Sequence, residues 1–136
     1  MVTNIALPRF AKIGAGAVDE LGTAVAQLGI QRPVLVTDRY LTDTGQAERL
    51  VKTLHAAGSE AAVFSETVPD PTITSLSGGL DLVKAHRADG IIGFGGGSPM
   101  DTAKALAVLS ANGGSIASYK APSSYTGPAL PVVAVP

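Results

Sequence analysis

The sequence predicts an α/β fold, an open and mostly parallel sheet with helices on both faces, from two features of its hydrophobic pattern. Four short apolar runs, Val34-Leu35-Val36-Thr37, Ala61-Ala62-Val63-Phe64, Ile91-Ile92-Gly93-Phe94 and Val132-Val133-Ala134-Val135, punctuate the chain. They are continuously apolar rather than alternating, as strands covered on both faces require. Between them apolar residues recur at the helical period, and strands alternating with helices make parallel sheets.

Each helix has its own signature. The first carries Val18, Leu21, Val25 and Leu28 on one face and stops near Gly29. In the second, Ala47, Leu50, Val51, Leu54 and Ala57 form the stripe and Gly58 closes it. A third is expected from Asp70-Pro71, the Asp accepting orphan N–H groups and the Pro supplying the first-turn φ, with Ile73, Leu76, Leu80 and Val83 buried. The fourth starts at Ser98-Pro99. Its Met100, Ala103, Leu106, Ala107 and Leu109 are apolar nearly all round, which predicts burial on most sides. Residues 112–128, rich in Gly, Ser and Pro, read as a long loop with Tyr119 and Tyr125 at its surface. Residues 5–13 add an edge strand or hairpin, and such an exposed edge allows a sheet-mediated homodimer.

Composition bounds the function. At 136 residues the chain is one domain, against about 150 residues per domain. Hydrophobic residues at 46% and charged residues at 15% favour collapse over disorder. Ten Lys and Arg against eleven Asp and Glu give a net charge of −1, without the basic excess a nucleic-acid partner needs. No Cys is present, so disulfides and thiolate metal sites are excluded, and two histidines, His55 and His86, cannot complete a three-His metal site. Both fall toward the ends of helices and read as solvated. The start, Met1 to Arg9, lacks an export signal, and no apolar run approaches the roughly 20 residues that span a bilayer. No membrane association and a cytoplasmic location are the expectations. The chain stops at Pro136, directly after an apolar strand, which suggests the N-terminal piece of a longer protein.

The densest chemical signal is Gly93-Phe94-Gly95-Gly96-Gly97-Ser98-Pro99-Met100-Asp101-Thr102-Ala103-Lys104, a strand running through three glycines into a helix. Glycines let a phosphate approach the backbone, first-turn N–H groups point at it, and the helix dipole adds about half a positive charge. Ser98 can add a hydroxyl donor. The plainer alternative is a capping box from Ser98 to Asp101, with Lys104 paired to Asp101. Capping alone would not call for Gly95-Gly96-Gly97. The stretch is no Walker loop, because Lys104 does not follow a glycine, and Gly14-Ala15-Gly16 lacks the third glycine of a dinucleotide fingerprint. Gly14 and Gly16 read as a turn into the first helix.

Asp38 ends the strand at Val34, on the same sheet edge as the glycines. A carboxylate there can accept from both adenosine ribose hydroxyls and repel a 2′-phosphate, favouring NAD over NADP; the alternative is a capping Asp. Asp70, at another strand-to-helix junction, can reach a cofactor or cap its helix. The acid at 38 precedes the glycines, the reverse of the usual order in dinucleotide folds.

Gly95 to Lys104 resembles the GGGSxxDxxK signature of the iron-containing, group III alcohol dehydrogenases. Ile13-Gly14-Ala15-Gly16-Ala17, Val36-Thr37-Asp38, Pro69-Asp70-Pro71-Thr72 and Pro131 to Pro136 fall in that family's order and spacing, so the resemblance covers nearly the whole chain. It implies a Rossmann-like N-terminal domain over residues 1–136 that binds NAD, with Gly96, Gly97 and Ser98 holding the pyrophosphate. It also implies that Asp38 contacts the adenosine ribose and that Asp70 and Asp101 line the cofactor cleft, Asp70 standing where Asn is common. A divalent metal, iron or zinc, would be held by one Asp and three His of a helical C-terminal domain outside this sequence. The whole enzyme would then transfer a hydride between a small alcohol or aldehyde and NAD, and this chain alone would be inactive. The alternatives are a stand-alone nucleotide-binding module, and a polyol dehydrogenase or dehydroquinate-synthase-like enzyme.

Overall fold

A computed structural model describes residues 8–119 and 127–136. Four strands, β1 (Pro33–Val36), β2 (Ala62–Phe64), β3 (Gly90–Phe94) and β4 (Val132–Val135), form one parallel sheet in the order β2-β1-β3-β4. Its helices are α1 (Leu21–Gln27), α2 (Arg39–Asp43), α3 (Gln46–Ala56), α4 (Ile73–His86) and α5 (Gly97–Asn112). A 3₁₀ turn, Ala17–Glu20, leads into α1 through the Gly14-to-Gly16 turn, and a second, Ile116–Tyr119, follows α5.

Side chains of successive strand residues point to opposite faces, and this divides the core in two. Val34, Val36 and Ile91 pack with Leu76 and Val83 of α4 and Leu106 and Leu109 of α5. Leu35 and Ile92 pack on the other face with Leu21 and Val25 of α1 and Leu50 and Leu54 of α3. That two-sided burial is why the central runs are apolar at every position. The edge strands differ from the expectation. Val63 and Val132 are exposed, since an edge strand is only partly covered by the helices that flank the sheet centre.

The third helix also starts later than expected. Thr72, not Asp70, is its N-cap: the Thr72 hydroxyl accepts from the Ser75 amide and Ser75 Oγ accepts from the Thr72 amide, a reciprocal box. Pro71 is buried ahead of the helix, and Ile73 in the first turn is 62% exposed rather than core. Two short elements escaped the pattern. α2 is too brief to show a period, and the turn at Ile116 half-buries Tyr119, whose hydroxyl donates to the Gly113 carbonyl at 2.9 Å. Tyr125 and residues 5–7 lie outside the described residues; residues 8–13 form no strand.

Beside β4, Phe10, Ile13, Val18 and Leu21 join Val133 and Val135 around a cleft of about 800 Å³. It lies along the sheet's side rather than at the glycine turn. Among the described residues no helix is long and apolar enough to cross a membrane.

Two substitutions test this packing. A Cβ on Gly22 would stand 2.6 Å from the Cβ of Ala57, so Gly22→Ala should force α1 away from the end of α3. The expected net loss is about 1–2 kcal/mol in urea unfolding, because overpacking outweighs the roughly 1 kcal/mol of helix propensity gained. Thr102 is buried in α5 and its Oγ1 has no hydrogen-bond partner among the described residues. Thr102→Val should therefore raise stability by about 1 kcal/mol in the same assay.

Candidate functional site

Register builds the site. In the β1–β3 pairing Val36 stands opposite Gly93, so residues two further along each strand leave the sheet at the same height. Those residues are Asp38 and Gly95. The ladder continues past the strand end on the far side, where the Gly95 amide donates to the Val135 carbonyl at 3.0 Å. After β1 the chain turns toward α3 on one face, and after β3 toward α5 on the other. The two connections diverge and leave a crevice between the strand ends, the topological switch point at which open α/β sheets bind ligands.

The three glycines do different work. Gly95 has φ 127°, a conformation that side chains rarely adopt, and a Cβ there would lie 3.0 Å from Leu41 Cδ1, 3.1 Å from Pro99 Cγ and 3.4 Å from Asp38 Oδ2. Gly96 is the N-cap of α5 in extended conformation, with no side chain capping the helix. Around the Cβ positions of Gly96 and Gly97 there is nothing within 4 Å among the described residues. Among the described residues the mouth of the helix is thus open at these two positions, no N-cap side chain occupies its first-turn amides, and the bulk of a phosphate can come against the backbone. Ser98 is half-buried at the rim.

The capping box from Ser98 to Asp101 does not form, because the N-cap falls two residues earlier, at Gly96. Asp101 is exposed, with Lys104 Nζ 3.8 Å from its Oδ1, the pairing expected of neighbours on a helix surface.

Asp38 caps a helix and still leaves one carboxylate oxygen uncommitted to that cap. Its Oδ1 accepts from the Leu41 amide at 2.9 Å and so caps α2, while its Oδ2 faces the glycine turn. One oxygen fixes the side chain and the other is presented at the crevice. Leu41 was not singled out by sequence, although it stands at the third position after a capping Asp, where the bonded amide belongs. Asp70 is exposed in the β2–α4 connection with φ 49°, a left-handed conformation that Asp tolerates better than most residues. It is on the same edge of the sheet as Asp38 and the glycines. His86 Nε2 lies 2.7 Å from the Glu60 carbonyl near the opposite, amino-terminal edge, and His55 is exposed in the last turn of α3. Neither approaches the crevice.

A pyrophosphate and an adenosine ribose fit this arrangement: uncapped amides, open space above two glycines and a carboxylate beside them. A catalytic metal does not. Among the described residues no three His, Cys, Asp or Glu side chains come together as metal ligands, so no step through a metal is assigned to this chain.

Comparison with known proteins agrees with the geometry. The profile of the family described as iron-containing alcohol dehydrogenase matches residues 8–136. NAD-dependent methanol dehydrogenase of Bacillus methanolicus is 40% identical over 134 residues, covering 98% of this chain and 35% of that protein. Lactaldehyde reductase of Escherichia coli K12 is 35% identical over 138 residues, covering 100% of this chain and 36% of that one. Among solved structures, sulfoacetaldehyde reductase from Bifidobacterium kashiwanohense, in complex with NAD+, has a TM-score of 0.86 at 27% identity, covering 100% of this chain and 36% of its own. The 1,3-propanediol oxidoreductase structure has a TM-score of 0.81 at 31% identity, covering 88% and 31%. The chain therefore spans about a third of the length of these relatives. A Rossmann-like sheet ending in an open, uncapped helix mouth, together with a profile match from residue 8 to residue 136, places the chain in the iron-containing alcohol dehydrogenase family.

Proposed function

We propose that this chain is the NAD-binding part of an oxidoreductase that moves a hydride between a small alcohol or aldehyde and NAD. The observation that carries the reading is the open mouth of α5 beside Asp38: a ready anion site and a carboxylate on one edge, at the switch point. Gly95 shapes the turn. Gly96 and Gly97 leave room for the pyrophosphate, and the Gly97 and Ser98 amides with the Ser98 hydroxyl donate to it. Asp38 Oδ2 accepts from the adenosine ribose and disfavours a 2′-phosphate by like charge, giving NAD preference over NADP. Asp70 and Asp101 flank the cleft. NAD, when bound, supplies the hydride acceptor.

The substrate class follows the relatives named above, a methanol dehydrogenase and a lactaldehyde reductase, and the metal follows the family's description as iron-containing. Among the described residues no group of His, Cys, Asp or Glu side chains is placed to hold a metal. The cytoplasm is the proposed compartment.

The test is NADH titration of the ¹⁵N-labelled chain followed by NMR, which reads even millimolar binding. Amide shifts are expected at Gly95 to Ser98 and at Asp38. Gly96→Val should weaken NADH at least tenfold while leaving the melting temperature within a few degrees, because a Cβ there meets nothing within 4 Å among the described residues. Asp38→Ala should weaken NADH roughly tenfold, since hydrogen bonds to a charged group are worth about 1.5–3 kcal/mol. It should also narrow the gap between NADH and NADPH. Shifts confined to the β4 cleft, or affinities unchanged in both variants, would reject the site.

A further inference from the structure

We infer that Thr67 is a positioning residue that holds Asp38 in register with the glycine turn. Thr67 is half-buried in the connection between β2 and α4, on the carboxyl edge of the sheet. Its Oγ1 donates to the Thr37 carbonyl at 3.0 Å. That carbonyl belongs to the peptide joining Thr37 to Asp38, so fixing its plane fixes the direction in which the Asp38 side chain leaves the backbone.

The neighbouring bonds show why this one matters. The Thr37 amide donates to the Phe64 carbonyl at 2.9 Å, extending the β1–β2 ladder past the Val36–Phe64 pair. With the Thr67 bond, both backbone groups of Thr37 are committed to the β2 side. Asp38 is then secured from the other direction by the Leu41 amide. Thr37 cannot brace itself: its side chain is fully buried and its Oγ1 has no partner among the described residues. A second link between the same two segments, Arg39 to Glu66, spans 3.9 Å between exposed side chains and contributes little. The Thr67 hydroxyl is therefore a direct side-chain brace between the β2–α4 connection and the peptide carrying the carboxylate. Losing it leaves the Thr37 carbonyl short of a donor and lets Asp38 swing away from Gly95.

This inference rests on the proposed ribose contact of Asp38, and a double-mutant cycle separates the two. NADH and NADPH affinities would be measured by NMR titration for the parent chain, Thr67→Val, Thr67→Ser, Asp38→Ala and the Thr67→Val/Asp38→Ala pair. Thr67→Val is expected to weaken NADH about fivefold, in line with the roughly 1 kcal/mol net worth of one hydrogen bond. It should weaken NADPH less, so the NADH-to-NADPH ratio falls. Thr67→Ser, which keeps the hydroxyl, should restore the ratio, and in the Asp38→Ala background Thr67→Val should cost nothing further. A general loosening of the fold would weaken both nucleotides alike, and in both backgrounds, and that result overturns the inference. So does a Thr67→Val chain with parental affinities while Asp38→Ala binds weakly. An Asp38→Ala chain that binds like the parent overturns the ribose contact itself, and this inference with it.

Discussion

The register between β1 and β3 is the constraint on which the site depends. Strands rise about 3.3 Å per residue and alternate faces, so a slip of one residue would displace Asp38 by that distance and turn its carboxylate to the other side of the sheet. Pairing Val36 with Gly93 instead brings a carboxylate and a glycine turn to the same height on adjacent strands. What enforces the pairing is burial. Leu35 and Ile92 must point to one core and Val34, Val36 and Ile91 to the other, and a one-residue slip would break both layers.

The crevice follows from where the connections go. Because α3 and α5 cover opposite faces, the segments leaving β1 and β3 part company, and the gap between them opens on the uncapped end of α5. Small residues keep it open. A side chain at Gly95 would crowd Leu41 and Pro99 and strain a backbone at φ 127°, so that glycine is favoured by the fold itself. Gly96 and Gly97 face empty space and have no packing reason to be glycine. Their smallness leaves room for the proposed ligand to come close to the backbone there, and the partial positive charge of a helix start favours an anion.

Much of this was legible in the sequence because it depends on local signals. Continuous apolar runs identify β1 and β3, since their burial on both faces leaves no polar position. Gly95-Gly96-Gly97 after β3 locates the helix mouth, and Asp38 after β1 is placed on the same edge by the parallel arrangement alone. The cap of α4 was not legible, because Asp70 and Thr72 are both good capping residues and the choice turned on Ser75 reciprocating with Thr72. The same ambiguity hid the start of α5, where the N-cap is a glycine without any side-chain bond. The exposure of β4 and β2 was invisible, because position in a sheet is a property of the strand order and not of any one segment. Thr67 shows the limit most plainly: its partner, Thr37, is thirty residues away and is joined to it through a backbone atom that carries no sequence signature.

The most direct test of the account is a crystal structure of the chain grown with NADH. The nucleotide's diphosphate should lie within hydrogen-bond distance of the Gly97 and Ser98 amides, with the adenosine ribose hydroxyls against Asp38 Oδ2. Well-defined nucleotide density in the cleft beside β4, with the mouth of α5 closed by protein side chains, would contradict it.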